Sequence, residues 1–205
     1  IEAWKLLHQL DPLGPEATER LLAIARGYAL EGDDAALVAT FTLLLDQHLP
    51  AVTLEPKAGL AKWTSATWAK AQSEPALVAR AATAIASEMR AHAIELHARG
   101  QATGNRSDFV TADKLYQLWL GRFRDDAHAY EMLFYAAEVE FHRLGKDSEA
   151  ARDYLACAQL SPHGELTRDA LLNALSALDR LRAKELEADR AKPRASGETE
   201  TDKRF

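Results

Sequence analysis

A single cysteine, Cys157, stands in a chain of 205 residues. One cysteine excludes a disulfide within the chain and any ordinary cysteine-based zinc site. It leaves the compartment open, because many periplasmic proteins also lack disulfides. No apolar run reaches the roughly 18 residues of a membrane-spanning helix. β-Branched residues are sparse and rarely alternate with polar ones, so strands have little support. An excess of basic charge is missing too: the formal net charge is −6 and the pI about 5.7. Nucleic-acid binders ordinarily carry a basic stripe or a high pI, so no partner of that class is expected.

Motifs that carry chemistry are equally scarce. Gly100-x3-Gly104 lacks the Lys-Ser/Thr of a phosphate loop, and no G-x-S-x-G elbow is present. His92-Ala-Ile-Glu95-Leu-His97 comes near the zinc-protease signatures. Its histidines are five apart, however, or about 140° around a helix once a full turn is removed. Two metal ligands on one helix face need a spacing of four. Cys157, beside Tyr154 and Leu160, reads as a small core residue. Glu138, Glu140 and Glu149 read as a solvated face. No catalytic, cofactor-binding or metal-binding residue is therefore assigned, and no cofactor is expected.

What the chain has in quantity is Ala, Leu, Glu and Arg, all good helix formers. Hydrophobic residues make up 47% and charged residues 27%, enough for a core in a folded domain. Periodicity and punctuation place helices over about 1–10, 15–30, 33–48, 57–71, 75–98, 107–123, 126–144, 147–160 and 165–191. Ser73 is the expected cap of the fifth, with Pro75 in its first turn, and Gly100 its expected end. Residues 51–56 read as a loop and 100–106 as a turn-rich connector. Connections are mostly short, which makes neighbouring helices antiparallel. Trp63 and Trp68, five apart, cannot share one stripe, so one is expected exposed or plugged against an adjoining helix.

The helices carry an internal pattern. In residues 131–164, Phe134, Ala137, Glu138 and Phe141 fall at helix–helix packing positions. Gly145 makes the turn, Ala150 and Tyr154 follow, and Pro162 closes the unit. In residues 18–51 the counterparts are Leu21, Ile24, Ala25, Tyr28, Gly32, Leu37 and Phe41. Tyr28 to Leu37 and Phe141 to Ala150 span the same distance. Ala112-x3-Tyr116 adds a half-match, and Ile1–Pro12 looks like the second helix of a further unit. On these residues the chain resembles the tetratricopeptide repeat family over most of 1–180. Glu138 departs from the family, which prefers a small residue there. The stretch 112–169 further resembles the carboxy-terminal repeats of large envelope-associated tetratricopeptide proteins of delta-proteobacteria, some of which serve gliding motility or outer-membrane assembly.

The resemblance implies an all-α antiparallel helix-pair solenoid of about nine helices over 1–180. A charged helical extension over 181–205 then frays beyond Pro193. It implies a non-enzymatic scaffold for other proteins, in a bacterial envelope-associated assembly. The alternative is an accessory or regulatory helical domain of a larger enzyme or sensor. In such a solenoid the first helices line the concave face. The residues there that are not used in packing are expected to be Glu19, Leu22, Arg26 and Ala29, with Met132, Tyr135, Val139 and His142. Leu22 and Tyr135 depart from the polar carboxylate clamp of chaperone-binding members and favour an apolar-anchored segment. The charged ninth helix ranks second as a docking surface.

Trp4, Tyr28, Phe41, Tyr116, Trp119, Phe134, Phe141 and Tyr154 are expected to be buried between helices. The chain opens at Ile1 rather than Met, as a processed product or excised piece would. Its first helix looks like half a unit, so Trp4 and Leu7 are expected to dock upstream chain, another subunit or a second copy. The charged ninth helix is expected to cap the other end.

Overall fold

In the computed structural model, which describes residues 1–49 and 67–191, every regular element is a helix. They are α1 (Glu2–Leu10), α2 (Ala17–Glu31), α3 (Asp34–Gln47), α4 (Thr67–Ala71), α5 (Pro75–Thr103) and α6 (Arg106–Arg122). Next come α7 (Ala129–Val139), a π-turn (Glu140–Leu144), α8 (Asp147–Leu160) and α9 (Thr167–Ala191). The loop expected over 51–56, most of the helix expected over 57–71, Trp63 and the tail after Ala191 lie outside the described residues.

Local chemistry sets most boundaries. The Asp33 side chain accepts from the Ala36 amide (3.0 Å) and caps α3. Asn105, not the expected Ser107 or Asp108, caps α6 by accepting from the Ser107 amide (3.0 Å). Pro75 opens α5 as expected, but Glu74 rather than Ser73 holds the cap position, with no side-chain hydrogen bond. Helix α5 also runs past Gly100 to Thr103. Gly100 is interior and buried, and the left-handed residue that ends the helix is Gly104 (φ 74°). Gly32 (φ 73°) and Gly145 (φ 72°) end the preceding helix in the same way before α3 and α8.

A second kind of turn alternates with these. After α1, the Gly14 amide bonds to the Asp11 carbonyl, and the Ala17 amide to the Gly14 carbonyl. After α6 the same two bonds join Asp126 to Phe123 and Ala129 to Asp126. After α8 they join Gly164 to Ser161 and Thr167 to Gly164. Three helix ends thus share one backbone turn; two of them also share Leu-x-Pro-x-Gly (Leu10, Pro12, Gly14 and Leu160, Pro162, Gly164), while the third, at Phe123–Asp126, does not. Each turn delivers a small buried residue, Ala17, Ala129 or Thr167, to the start of the next helix.

The two turns order the helices as pairs. Left-handed glycines join α2 to α3, α5 to α6, and α7 with its π-turn to α8. The other turn joins α1 to α2, α6 to α7 and α8 to α9. Apart from α4 and α5, consecutive helices pack on one another; α2 also reaches α5, and α3 reaches both α5 and α6. Leu37, Phe41, Ile85, Met89, Leu115, Tyr116, Trp119, Tyr154 and Cys157 form one continuous core. Trp68 plugs the α1–α2 turn: its indole N–H donates to the Gly14 carbonyl (2.7 Å), and its ring stacks on buried His48 at 4.9 Å. Helix α9 gives this core only alanines, Ala170, Ala174 and Ala177. Small residues permit close packing on α8. Asp147 then accepts from Arg180 and from Lys184 (2.5 Å) and ties α9 down.

Several expectations about burial change. Phe41, Tyr116, Trp119 and Tyr154 are fully buried, while Tyr28, Phe134 and Phe141 are half-buried. Trp4 is 45% exposed rather than buried. The ninth helix is not a polar cap over its whole outer side, because Leu171, Leu172, Leu175 and Leu178 face solvent.

The π-turn corrects the packing register of α7. From turn to glycine, the stretch 123–145 is one residue longer than 11–32, and a π-turn takes up one extra residue. Counted from the turn, Leu133, Ala136 and Ala137 match Leu21, Ile24 and Ala25, and all six are buried. The small residue lost at Glu138 is therefore present at Ala137.

Candidate functional site

Helix α5 presents two flanks to its neighbours, and a cleft opens along each. The α2–α5 cleft, about 260 Å³, has a floor of Leu37 and Leu96 under Ala29 and Leu30. Its rim is charged. Arg26 donates to Glu88 (2.6 Å), and Arg99 donates to buried Asp108 (2.6 Å). His92 faces Glu88 (3.9 Å) and Glu95 (3.8 Å). Burial lowers the pKa of His92 more than the two carboxylates raise it. The lowered value favours the uncharged imidazole and so weakens both contacts as ion pairs.

The α5–α7 cleft, about 320 Å³, is aromatic. Phe134 and Tyr135 on α7 face Ile94 and His97 on α5, with the Tyr116 hydroxyl at the base. His97 Nδ1 is 3.2 Å from the Tyr116 hydroxyl, and Gln101 bonds to Nε2 (3.0 Å). Three rings, Phe109, Tyr116 and Tyr135, surround the imidazole edge-on at 6.0–6.4 Å. Burial again lowers its pKa, against the charge of Glu138. Two hydrogen bonds hold the imidazole in place among the aromatic edges. Glu131 and Glu138 supply negative charge at the rim. Glu138 accepts from the Tyr154 hydroxyl and from Asn173 (3.0 Å), which fixes its carboxylate.

The expected partner-facing residues divide. Arg26 lines the first cleft and Tyr135 the second. Glu19 and His142 are exposed. Leu22, Met132 and Val139 are buried in the core and face no groove. The extra residue in the π-turn is why the α7 set slips. Phe134 and Glu138, read as packing residues, line the cleft instead. His97 and Gln101 also line the cleft, and the sequence carries no signal for them, because Glu88/His92 and Glu95/Arg99 have the same i,i+4 spacing on α5. His92 and His97 open onto different clefts, as their spacing predicts.

One polar cluster lies elsewhere. Glu140, expected on a solvated face, is 1% exposed, and Asp113 and Asp153 are buried beside it. Gln117 donates to Glu140 (3.0 Å) and Asp153 (2.8 Å), Lys146 to Asp113 (2.5 Å) and Arg152 to Asp153 (2.7 Å). Burial first, then the charges of Asp153 and Asp113, pushes the Glu140 carboxyl up to about 9. The cluster closes the α6–π-turn–α8 junction. Among the described residues, no group of three or more His, Cys, Asp or Glu side chains is arranged to hold a metal ion. No described helix is long and apolar enough to cross a membrane. Burial pushes the Cys157 thiol up to about 11, away from the thiolate.

No family model, curated protein or solved structure matches the chain.

Proposed function

We propose that the chain is a non-enzymatic protein–protein interaction scaffold of tetratricopeptide type, which holds an extended or helical segment of another protein in the clefts beside α5. The α5–α7 cleft carries this reading. Its aromatic walls are half-exposed, its imidazole is held by two hydrogen bonds, and its rim is acidic. Such a site suits an aliphatic or aromatic anchor with a Lys or Arg beside it. The alternating turns support the tetratricopeptide reading, because they repeat a helix-pair unit along the chain. Function comes from the exposed faces and not from the fold alone.

The test is selection of a displayed peptide library on the immobilised chain, with Tyr135→Ala as counter-target. Enrichment of apolar-basic sequences that the variant fails to hold supports the proposal. No enrichment above a blank surface, or equal retention by the variant, overturns it.

A further inference from the structure

Four of the side chains that line the α5–α7 cleft are rings: His97 on α5, Tyr116 on α6, and Phe134 and Tyr135 on α7. Tyr135 stands in the middle. Its plane is 73° from that of Phe134 and 75° from that of His97, and both centroids are 6.4 Å away. His97 in turn stands at 85° to Tyr116, at 6.1 Å. Tyr116 is buried, while His97, Phe134 and Tyr135 are half-exposed.

Rings set near right angles wall a corner rather than a slot. With centroids 6.4 Å apart, a point in that corner lies within about 6 Å of both, the reach of a cation–π contact. A planar guanidinium stacks flat on one ring at a time. A near-spherical ammonium touches several rings at once, so a corner of rings favours it.

Charge points the same way. The lining residues include no Lys or Arg, and they include two carboxylates, Glu131 and Glu138. Glu131 is exposed. Glu138 is held from behind: Tyr154 and Asn173 donate to Oε1, and His142 Nε2 stands 3.7 Å from the same atom. Its Oε2 takes no hydrogen bond among the described residues. Burial favours the uncharged form of His97, which keeps that ring from repelling a cation. Further acceptors are few, because the Tyr116 hydroxyl and both nitrogens of His97 are engaged with each other and with Gln101. A primary ammonium brings three N–H donors to satisfy. A fully alkylated one brings none, and the corner of rings asks for none.

We infer, on the reading of this cleft as the partner site, that it recognises a trimethylammonium head, seated among His97, Phe134 and Tyr135 with Glu138 beside it. Two sources carry that head: a trimethylated lysine of a protein, and a free molecule of the choline type.

The experiment titrates the isotope-labelled full chain with choline at constant ionic strength and follows the amide shifts. The controls are choline's neutral isostere, with carbon in place of the nitrogen, and guanidinium chloride at the same low concentrations. Choline is expected to give saturable shifts centred on His97, Phe134 and Tyr135. The isostere and guanidinium are each expected to bind about tenfold more weakly. Tyr135→Phe keeps the ring and keeps the binding, Tyr135→Leu keeps apolar bulk and loses it, and Glu138→Gln weakens it. Circular dichroism verifies that the variants fold, and the comparison with the isostere needs only the wild type. A peptide carrying trimethyllysine and its unmodified twin separate the sources. Tighter binding of the trimethylated peptide places the head on a protein; equal binding of the twins, with choline still bound, places it on a free molecule. Choline that moves no cleft amide overturns the inference. So does an isostere, or guanidinium, that binds as tightly as choline. If the peptide library still enriches in that case, the scaffold reading stands without the cation site. Choline binding with no peptide enriched keeps the cation site and removes the scaffold reading.

Discussion

Gly100 on α5 lies against the ring of Phe109 on α6, so close that a Cβ on the glycine would stand 3.0 Å from ring atoms Cε1 and Cζ. Phe109 has little room to yield: it is buried, with His97 at its edge and the Arg143 guanidinium 5.1 Å from its centre. Replacing a helix-interior glycine by alanine gains about 1 kcal/mol in propensity. Overpacking costs about 1–3 kcal/mol. Gly100→Ala is therefore expected to lose about 1 kcal/mol net. Gly121→Ala, where a Cβ meets nothing within 4 Å, should gain about 0.5–1 kcal/mol. Urea midpoints check both; equal gains would contradict the close α5–α6 contact.

The Tyr154 ring is buried between Phe134 and Phe141, with centroids 5.7 and 6.4 Å away. Tyr154→Ala is expected to cost about 3–5 kcal/mol. Tyr154→Phe keeps the ring and removes the donor to Glu138. Asn173 still serves that carboxylate, so the loss should be about 1 kcal/mol. Chemical denaturation of the two variants separates ring from hydroxyl, and near-equal losses would contradict this division.

The π-turn makes an ordering testable. Leu133→Ala removes a core side chain and should cost about 2–5 kcal/mol. Phe134→Ala removes a larger but half-exposed ring and should cost less. The opposite order in thermal or urea unfolding would restore the register without the extra residue.

The register of α7 depends on a feature that leaves no mark in the sequence. Helix boundaries, Gly32, Gly145 and the packed Phe41 and Tyr154 were legible because they rest on local propensity and period. A π-turn has no propensity signature, so Phe134 and Glu138 were read as packing residues, and Met132 and Val139 as groove residues. Gly100 and Gly104 compete as the end of α5. The segment between them, Gln-Ala-Thr, can stay helical, and the Phe109 contact that uses Gly100 belongs to the next helix. The outward leucines of α9 were hidden by the charges among them. Glu140 reads as a surface carboxylate in the sequence because its neighbours Asp113 and Asp153 are remote along the chain.

Glu140 gives a pH dependence. Its carboxyl has an ordinary value of 4.5 and is raised to about 9 in the fold by burial and by Asp153 and Asp113. The unfolded chain releases this proton first. Stability from this group is thus complete below about 4.5 and is lost as pH rises through about 9. His48 works on the acid side: burial lowers it from 6.5 to about 4, so its contribution is lost as pH falls through that window. Glu140→Gln, neutral and near-isosteric, should match the wild type at low pH and exceed it increasingly toward pH 9. A loss that is the same at every pH would contradict a buried, protonated Glu140.

The central claim, that the aromatic cleft beside α5 holds a protein segment, is tested most directly by amide chemical-shift mapping. The isotope-labelled full chain is titrated with an apolar-basic peptide taken from the library selection. Saturable shifts centred on His97, Gln101, Phe134 and Tyr135 are expected, abolished in Tyr135→Ala while its spectrum otherwise stays folded. Shifts confined to α1, α9 or the charged end of α9, with the cleft amides unmoved, would contradict it.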